Sequence, residues 1–312
     1  MILNRRRVAL CTGAAMALAA CGGDDASDAT AIEASSEIIA TTSIWADITS
    51  EVLCGESVPA LIPPGADPHT FEPSLRDRET IGDARMIVAN GSDLEGSLID
   101  LLTTAGSANL VEMTPHIDVI VTDDDHDDDE ATSDGDDGHG HGLDADPHVW
   151  QDPSRVAGAL DVIASAGTAI GRPDCSADYA SELMALDAEI TELLSDIPPA
   201  RRIMVTSHDS LAYFADRYGF EIVGTVIPST NTLAQTNAAD LAELADVIEE
   251  RSVRAVFTEA LESTADADAL AARLDVEIVP LVTDALTDDP ATDTYVEMMR
   301  FNAAEIAGAL AP

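Results

Sequence analysis

Two copies of the tripeptide Asp-Pro-His place histidines in matching contexts far apart in the chain. The first ends at His69 within G-A-D-P-H-T-F-E-P-S, and the second ends at His148 within D-A-D-P-H-V-W-Q-D-P. Proline fixes its own φ angle and restricts the residue before it, so each histidine follows a stiff piece of backbone. Because a metal ligand has to be held in place, the repeat predicts two histidine ligands of one metal centre.

A third histidine and one carboxylate complete the candidate metal centre. His208 lies in S-H-D, and Asp284 follows the apolar run I-V-P-L-V-T. All four side chains come just beyond apolar runs that we predict as strands, and open α/β sheets bind ligands outside the carboxyl ends of their strands. Three imidazoles and one carboxylate suit tetrahedral Zn²⁺. Four protein ligands leave no position for an activated water, so the set indicates binding and not catalysis.

Two further side chains are candidates for support of this centre. Glu259 also ends an apolar run. It is considered as a group that orients a ligand, or as the fourth ligand in place of Asp284 or a water molecule. Trp150, two positions after His148, is predicted to shape and cover the site.

Short apolar runs alternate with amphipathic stretches, which predicts βαβ units and mostly parallel sheets. We predict an α/β fold with two Rossmann-like lobes, an N-terminal one over 36–174 and a C-terminal one over 199–312. Residues 175–198 between them carry apolar side chains at steps of three or four, which indicates one long helix. Two shorter elements are also expected, a strand over 57–62 and a helix over 93–104.

The N-terminus has the features of a bacterial lipoprotein signal peptide over residues 1–21. Three arginines precede a short apolar segment that ends in L-A-A-C-G-G, which resembles a lipobox with Cys21 as the lipidated residue. Residues 22–35 are small, polar and acidic, and are predicted to form a flexible tether. We therefore expect an extracytoplasmic protein that is lipid-anchored to the cytoplasmic membrane. The arginines leave both the Sec and the twin-arginine export routes open.

The charge of the chain excludes one class of partner. Acidic residues outnumber basic ones by 59 to 15, which gives a formal net charge of −44. Nucleic-acid binding needs a basic surface, so we expect no nucleic-acid partner.

Two of the four cysteines, Cys54 and Cys175, remain after the signal peptide is removed and Cys21 is lipidated. Outside the cytoplasm such a pair often forms a disulfide. Two separate buried thiols are the alternative.

An acidic loop over 123–142 precedes the second tripeptide. It contains His126, His139 and His141 among many aspartates and nothing that could pack in a core. We interpret it as an auxiliary segment that captures cations weakly; the alternative is a solvated run of charge.

From about residue 36 to the C-terminus, the chain resembles the metal-binding proteins of ABC importers called cluster A-I, or cluster 9. The resemblance rests on the two tripeptide motifs, on T-S-H-D-S-L-A-Y-F-A-D-R-Y-G-F and on V-T-D-A-L. It implies a metal site of His69, His148, His208 and Asp284. The histidine at 208 resembles the zinc-specific branch, since manganese-type members carry glutamate there. The resemblance also implies that the long helix is a rigid connection between the lobes.

This resemblance implies a function and a set of partners. We expect a zinc-binding component that captures Zn²⁺ in the cleft between the lobes and delivers it to an ABC permease in the cytoplasmic membrane. The protein is then not an enzyme and is expected to be a monomer, with a metallochaperone as a further candidate partner. The alternatives are a manganese- or iron-type member of the family, an adhesin-like surface protein and a zinc-dependent hydrolase.

Overall fold

The computed structural model describes residues 37–105, 109–121, 145–227, 229–234, 236–260 and 265–312. The predicted signal peptide with Cys21, the tether and the acidic loop with its three histidines (His126, His139 and His141) lie outside these residues. In the part of the chain that is described, no helix is long and apolar enough to cross a membrane.

The first sheet consists of three parallel strands in the order β1-β2-β3. The strands are β1 (Ile38–Ala40), β2 (Met86–Ala89) and β3 (Leu110–Glu112). The helices of this lobe are α1 (Ser43–Val52), α2 (Leu75–Asp83) and α3 (Ile99–Ala105). Alternate residues of β2 enter different apolar clusters, since Val88 packs with α1 whereas Ile87 packs on the opposite face. The sheet is therefore buried on both faces, as parallel sheets usually are.

The second sheet consists of four parallel strands in the order β5-β4-β6-β7. The strands are β4 (Ile203–Thr206), β5 (Glu221–Thr225), β6 (Ala255–Glu259) and β7 (Glu277–Leu281). The helices of this lobe are α6 (Ala212–Tyr218), α7 (Ala238–Arg251) and α8 (Ala265–Leu274). Because the strands are parallel, the residues that follow β4, β6 and β7 emerge at one edge of the sheet.

Three longer helices pack against each other. They are α4 (Pro153–Ala169), α5 (Ser176–Leu194) and α9 (Tyr295–Leu310), with α5 in contact with the other two. Nineteen residues make α5 about 28 Å long. The predicted α/β class, with parallel sheets in two lobes and a long helix between them in the chain, is confirmed. The lobe boundaries near residues 174 and 199 stay predictions.

Two of the shorter predicted elements differ from the structure. The expected strand over 57–62 forms only an isolated parallel bridge, between Ala60 and Ala40. Pro59 has no N–H to donate, so a regular ladder cannot continue through it. The helix expected over 93–104 begins only at Ile99, because Ser92 and Asp93 have the positive φ angles of 50° and 58° that belong to a turn.

An aspartate of α1 that contacts the first residue of α9 makes the stability of the fold depend on pH. Asp47 of α1 accepts a hydrogen bond from the backbone N–H of Tyr295 at 2.8 Å. Burial and the nearby carboxylates of Glu51 and Asp293 raise the pKa of Asp47 to about 6 against the effect of that hydrogen bond. The folded state therefore binds this proton more tightly than the unfolded state, so stability falls as the pH rises from about 4 to about 6 and stays lowered above that.

We expect Asp47→Asn to raise the melting temperature at pH 7.5, because the amide oxygen can still accept the hydrogen bond but carries no charge. The gain should shrink through pH 6 and vanish below about pH 4, where aspartate is protonated in both states. Thermal melts across this range measure it, with the exposed Asp288→Asn as control for the loss of one negative charge. An equal gain in melting temperature at all pH values would contradict a raised pKa of Asp47 in the folded state.

Candidate metal centre

Four side chains predicted from the sequence lie together in the structure. His69, His148, His208 and Asp284 are all buried, and one potential ligand atom from each lies within 4.8 Å of the others. The Nε2 atoms of the histidines are 3.7, 3.7 and 3.4 Å from the Asp284 carboxylate oxygens. Ligands about 2.0–2.1 Å from a tetrahedral ion are about 3.4 Å apart, so these nitrogen-to-oxygen spacings match a small cation.

The two Asp-Pro-His tripeptides hold the backbone of their histidines in the same way. The Asp67 carboxylate accepts a hydrogen bond from the backbone N–H of His69 at 2.8 Å, and the Asp146 carboxylate accepts one from His148 at 2.9 Å. Each aspartate therefore closes a small turn around its proline. His148 is the N-cap of a short 3₁₀ helix over Val149–Gln151, and among the described residues no strand directly precedes it, in contrast to the prediction.

The other two members of the cluster come from the second sheet. His208 lies two residues after β4, and Asp284 lies three residues after β7. These strands flank β6 and end at the same edge of the sheet, which brings residues 76 positions apart to one point. The parallel order of this sheet is thus the reason that an imidazole and a carboxylate from distant segments meet.

The electrostatics of the cluster favour a bound cation. Burial, together with the neighbouring His148 and His208, lowers the pKa of His69 to about 4 against the attraction of Asp284. For Asp284 burial acts to raise the pKa, but His208 and the other two histidines outweigh it and hold the pKa below its usual value. At neutral pH the His69 imidazole is therefore neutral and the Asp284 carboxylate is ionised, the forms that bind metals.

Several polar atoms of the cluster have no hydrogen-bond partner among the described residues. They include Nε2 of His69, Nε2 of His148 and Oδ1 of Asp284, all of them buried. Buried polar groups in native proteins are almost always paired, so unpaired atoms that share one space indicate a missing partner. Three imidazoles and a carboxylate fit a divalent metal ion as that partner.

The proposed supporting residues lie beside the cluster and not within it. Trp150 donates a hydrogen bond from Nε1 to the carbonyl of Thr283 at 2.7 Å, and its ring centroid is 5.4 Å from that of His148. It therefore covers one ligand and fixes the neighbour of another. Glu259 lies 3.9 Å from Nδ1 of His208 and accepts a hydrogen bond from Ser210. Its role as a ligand or as an orienting group stays a prediction.

Two residues around His148, Asn90 and Tyr213, were not identified from the sequence. Asp146 places Oδ1 2.7 Å from Nδ1 of His148, which leaves Nε2 as the nitrogen available to a metal ion. Asn90 donates to the carbonyl of Pro147 at 2.8 Å, and the Tyr213 hydroxyl donates to that of Asp146 at 2.7 Å. The peptide groups before His148 are thus fixed from both sides. Asn90 and Tyr213 lie 57 and 67 positions away from these partners, so spacing alone could not identify them.

The structure joins Cys54 and Cys175 in a disulfide. Cys54 is the second residue after α1, and Cys175 directly precedes α5, so the disulfide connects the end of one helix with the start of the other. Cys175 also donates its backbone N–H to the carbonyl of Val52 at 2.8 Å. Of the two interpretations of these cysteines, the structure contains the disulfide and not two separate thiols.

Comparison with known proteins identifies one family. The sequence profile described as "ZnuA: Zinc-uptake complex component A periplasmic" matches residues 38–309. The manganese-binding lipoprotein MntA of Bacillus subtilis is 30% identical over 258 residues, which cover 79% of this chain and 77% of MntA. The zinc-binding protein TroA of Treponema pallidum is 27% identical over 292 residues, which cover 88% of each chain.

Solved structures agree with this result. The structure of periplasmic TroA from Treponema pallidum has a TM-score of 0.74 at 26% identity and covers 88% of this chain and 99% of that one. The relatives include proteins named for manganese and proteins named for zinc. The predicted assignment to the zinc-specific branch therefore stays a prediction, whereas the wider family is confirmed.

Proposed function

We propose that Zn²⁺ is the ion that this chain transports, since the chain belongs to the ZnuA family. Members of this family are substrate-binding components of metal ABC importers; they are not enzymes. The observation that carries the proposal is the buried cluster of three imidazoles and one carboxylate. Three neutral imidazole nitrogens among four ligands suit zinc better than manganese, which prefers oxygen. The fourth ligand, Asp284, supplies the negative charge that compensates the ion.

His69, His148, His208 and Asp284 then hold the ion without an open position, so it is carried and released and not used for chemistry. The ion leaves only when the protein parts its ligands, which is the step we assign to docking on the permease in the membrane. Manganese is the second candidate, favoured by relatives named as manganese-binding lipoproteins. We further propose that lipidation at Cys21 anchors the protein outside the cytoplasmic membrane and that it acts there as a monomer.

Metal analysis and titration test this proposal. Protein purified without added metal should contain zinc, and chelator-treated protein should bind one Zn²⁺ per chain more tightly than Mn²⁺ in competition calorimetry. Tighter binding of Mn²⁺ would assign the chain to the manganese-type members. Failure to bind either ion would refute the proposed cargo and the ligand set together.

Zinc should also stabilise the folded protein, because the four ligand atoms meet only in the native state. At a free concentration of about 100 times Kd, the stabilisation expected from mass action is about 2.7 kcal/mol. Differential scanning calorimetry with buffered zinc measures it, and excess chelator should return the melting temperature to that of the metal-free protein. A melting temperature that does not respond to zinc would contradict binding to the native state.

A further inference from the structure

The two Asp-Pro-His tripeptides use their carboxylates differently beyond the shared backbone hydrogen bond. In the second, Asp146 also contacts Nδ1 of its histidine at 2.7 Å. In the first, Nδ1 of His69 has no hydrogen-bond partner among the described residues. Asp67 therefore does not hold the ring of His69 by a hydrogen bond. The position of the His69 ring depends more on the backbone turn that carries it than the position of the His148 ring does.

The second oxygen of Asp67 is bound by two threonine hydroxyls. Thr70 donates to Oδ2 at 3.0 Å from within the same turn, and Thr232 donates to it at 2.8 Å from 165 residues further along the chain. Thr232 lies between β5 and α7 of the second lobe, and Asp67 lies between β1 and α2 of the first. The second hydrogen bond therefore connects the lobes beside the metal cluster.

The segment that carries Thr232 is held in shape by its own side chains. Ser229 accepts a hydrogen bond from the N–H of Asn231 at 3.0 Å, and Asn231 accepts one from the N–H of Leu233 at 2.8 Å. The carbonyl of Ser229 also accepts the N–H of Asp209 at 3.0 Å, directly after His208. One short segment thus contacts the turn of His208 and, through Thr232, the turn of His69.

We propose that Thr232 is a positioning residue that holds the His69 turn against the second lobe and so slows the release of the metal ion. This inference rests on the proposed function. If the turn of His69 moves away from the segment that contacts the His208 turn, the hydrogen bond between Thr232 and the carboxylate of Asp67 breaks. A hydrogen bond to an ionised acceptor is stronger than a neutral one, so its loss lowers the barrier to separation. Dissociation is the step that changes, since the ligands themselves are untouched.

Three variants test whether Thr232 slows release by connecting the lobes or only by orienting the Asp67 carboxylate, as Thr70 also does. Thr232→Val keeps the size of the side chain but removes the hydroxyl, Thr232→Ser keeps the hydroxyl, and Thr70→Val removes the other hydroxyl from the same oxygen. Zinc-loaded proteins are mixed with excess chromogenic chelator in a stopped-flow instrument. We expect Thr232→Val to release zinc about five- to tenfold faster than the wild type, as the loss of one partly buried hydrogen bond predicts. Thr232→Ser and Thr70→Val should stay within about twofold of the wild type.

Two results would overturn this inference and leave the proposed function intact. One is an unchanged release rate in Thr232→Val, and the other is an equal acceleration in Thr70→Val, which would mean that only the orientation of the Asp67 carboxylate matters. Melting temperatures of the metal-free variants verify folding, and Thr232→Ala replaces Thr232→Val if the latter does not fold. A wild-type protein that takes up no zinc would be a different result, because it refutes the proposed function itself.

Discussion

Replacing His208 with alanine should lower zinc affinity by at least about 100-fold, more than the loss of a residue that only orients a ligand. The change removes one of four donors from a buried site, where no other described side chain offers a nitrogen in its place. It also leaves Asp284 without a neighbour at 3.4 Å, so the carboxylate loses a group that lowers its pKa. Competition titration against a chelator of known affinity measures the effect.

The matched control for this variant is His116→Ala, which removes an exposed histidine from the short helix over Thr114–His116. It should bind zinc as the wild type does. Equal affinities for His208→Ala and the wild type would show that the cluster is not the metal site. His208→Glu, which substitutes an oxygen donor, should shift the preference from zinc towards manganese in the same titration.

Removal of the disulfide should produce the second large effect, a loss of about 4–5 kcal/mol in the free energy of unfolding. Cys54 and Cys175 are 121 positions apart, so their bond excludes many extended conformations of the unfolded chain. The double variant Cys54→Ala/Cys175→Ala is compared with the oxidised protein by urea unfolding. The slope of the free energy with urea should rise as well, because the unfolded chain becomes less compact.

A reductant provides the control for the disulfide prediction. Dithiothreitol should lower the stability of the wild type to that of the double variant and leave the double variant unchanged. A loss below about 1 kcal/mol would show that the cross-link restricts the unfolded chain far less than its loop length implies.

The sequence could identify the four side chains of the cluster because the constraints on them are local. Proline fixes the backbone before His69 and His148, and apolar runs that end at His208 and Asp284 predict strand ends in a parallel sheet. Local rules failed where they competed with each other. Residues 57–62 have the apolar pattern of a strand, but Pro59 interrupts the hydrogen bonding and only a single bridge forms.

Only the tertiary structure decided what surrounds each ligand. The sequence contains the same tripeptide twice, yet the two aspartates have different partners. Asp146 orients an imidazole, whereas Asp67 accepts a hydrogen bond from the hydroxyl of Thr232 in the other lobe. The donor that Asp67 meets lies 165 residues away in the chain, and no local pattern encodes that contact. The chain by itself therefore specified the donor atoms for a divalent ion, and the packing of two sheets and their connecting segments decided how firmly each donor is held.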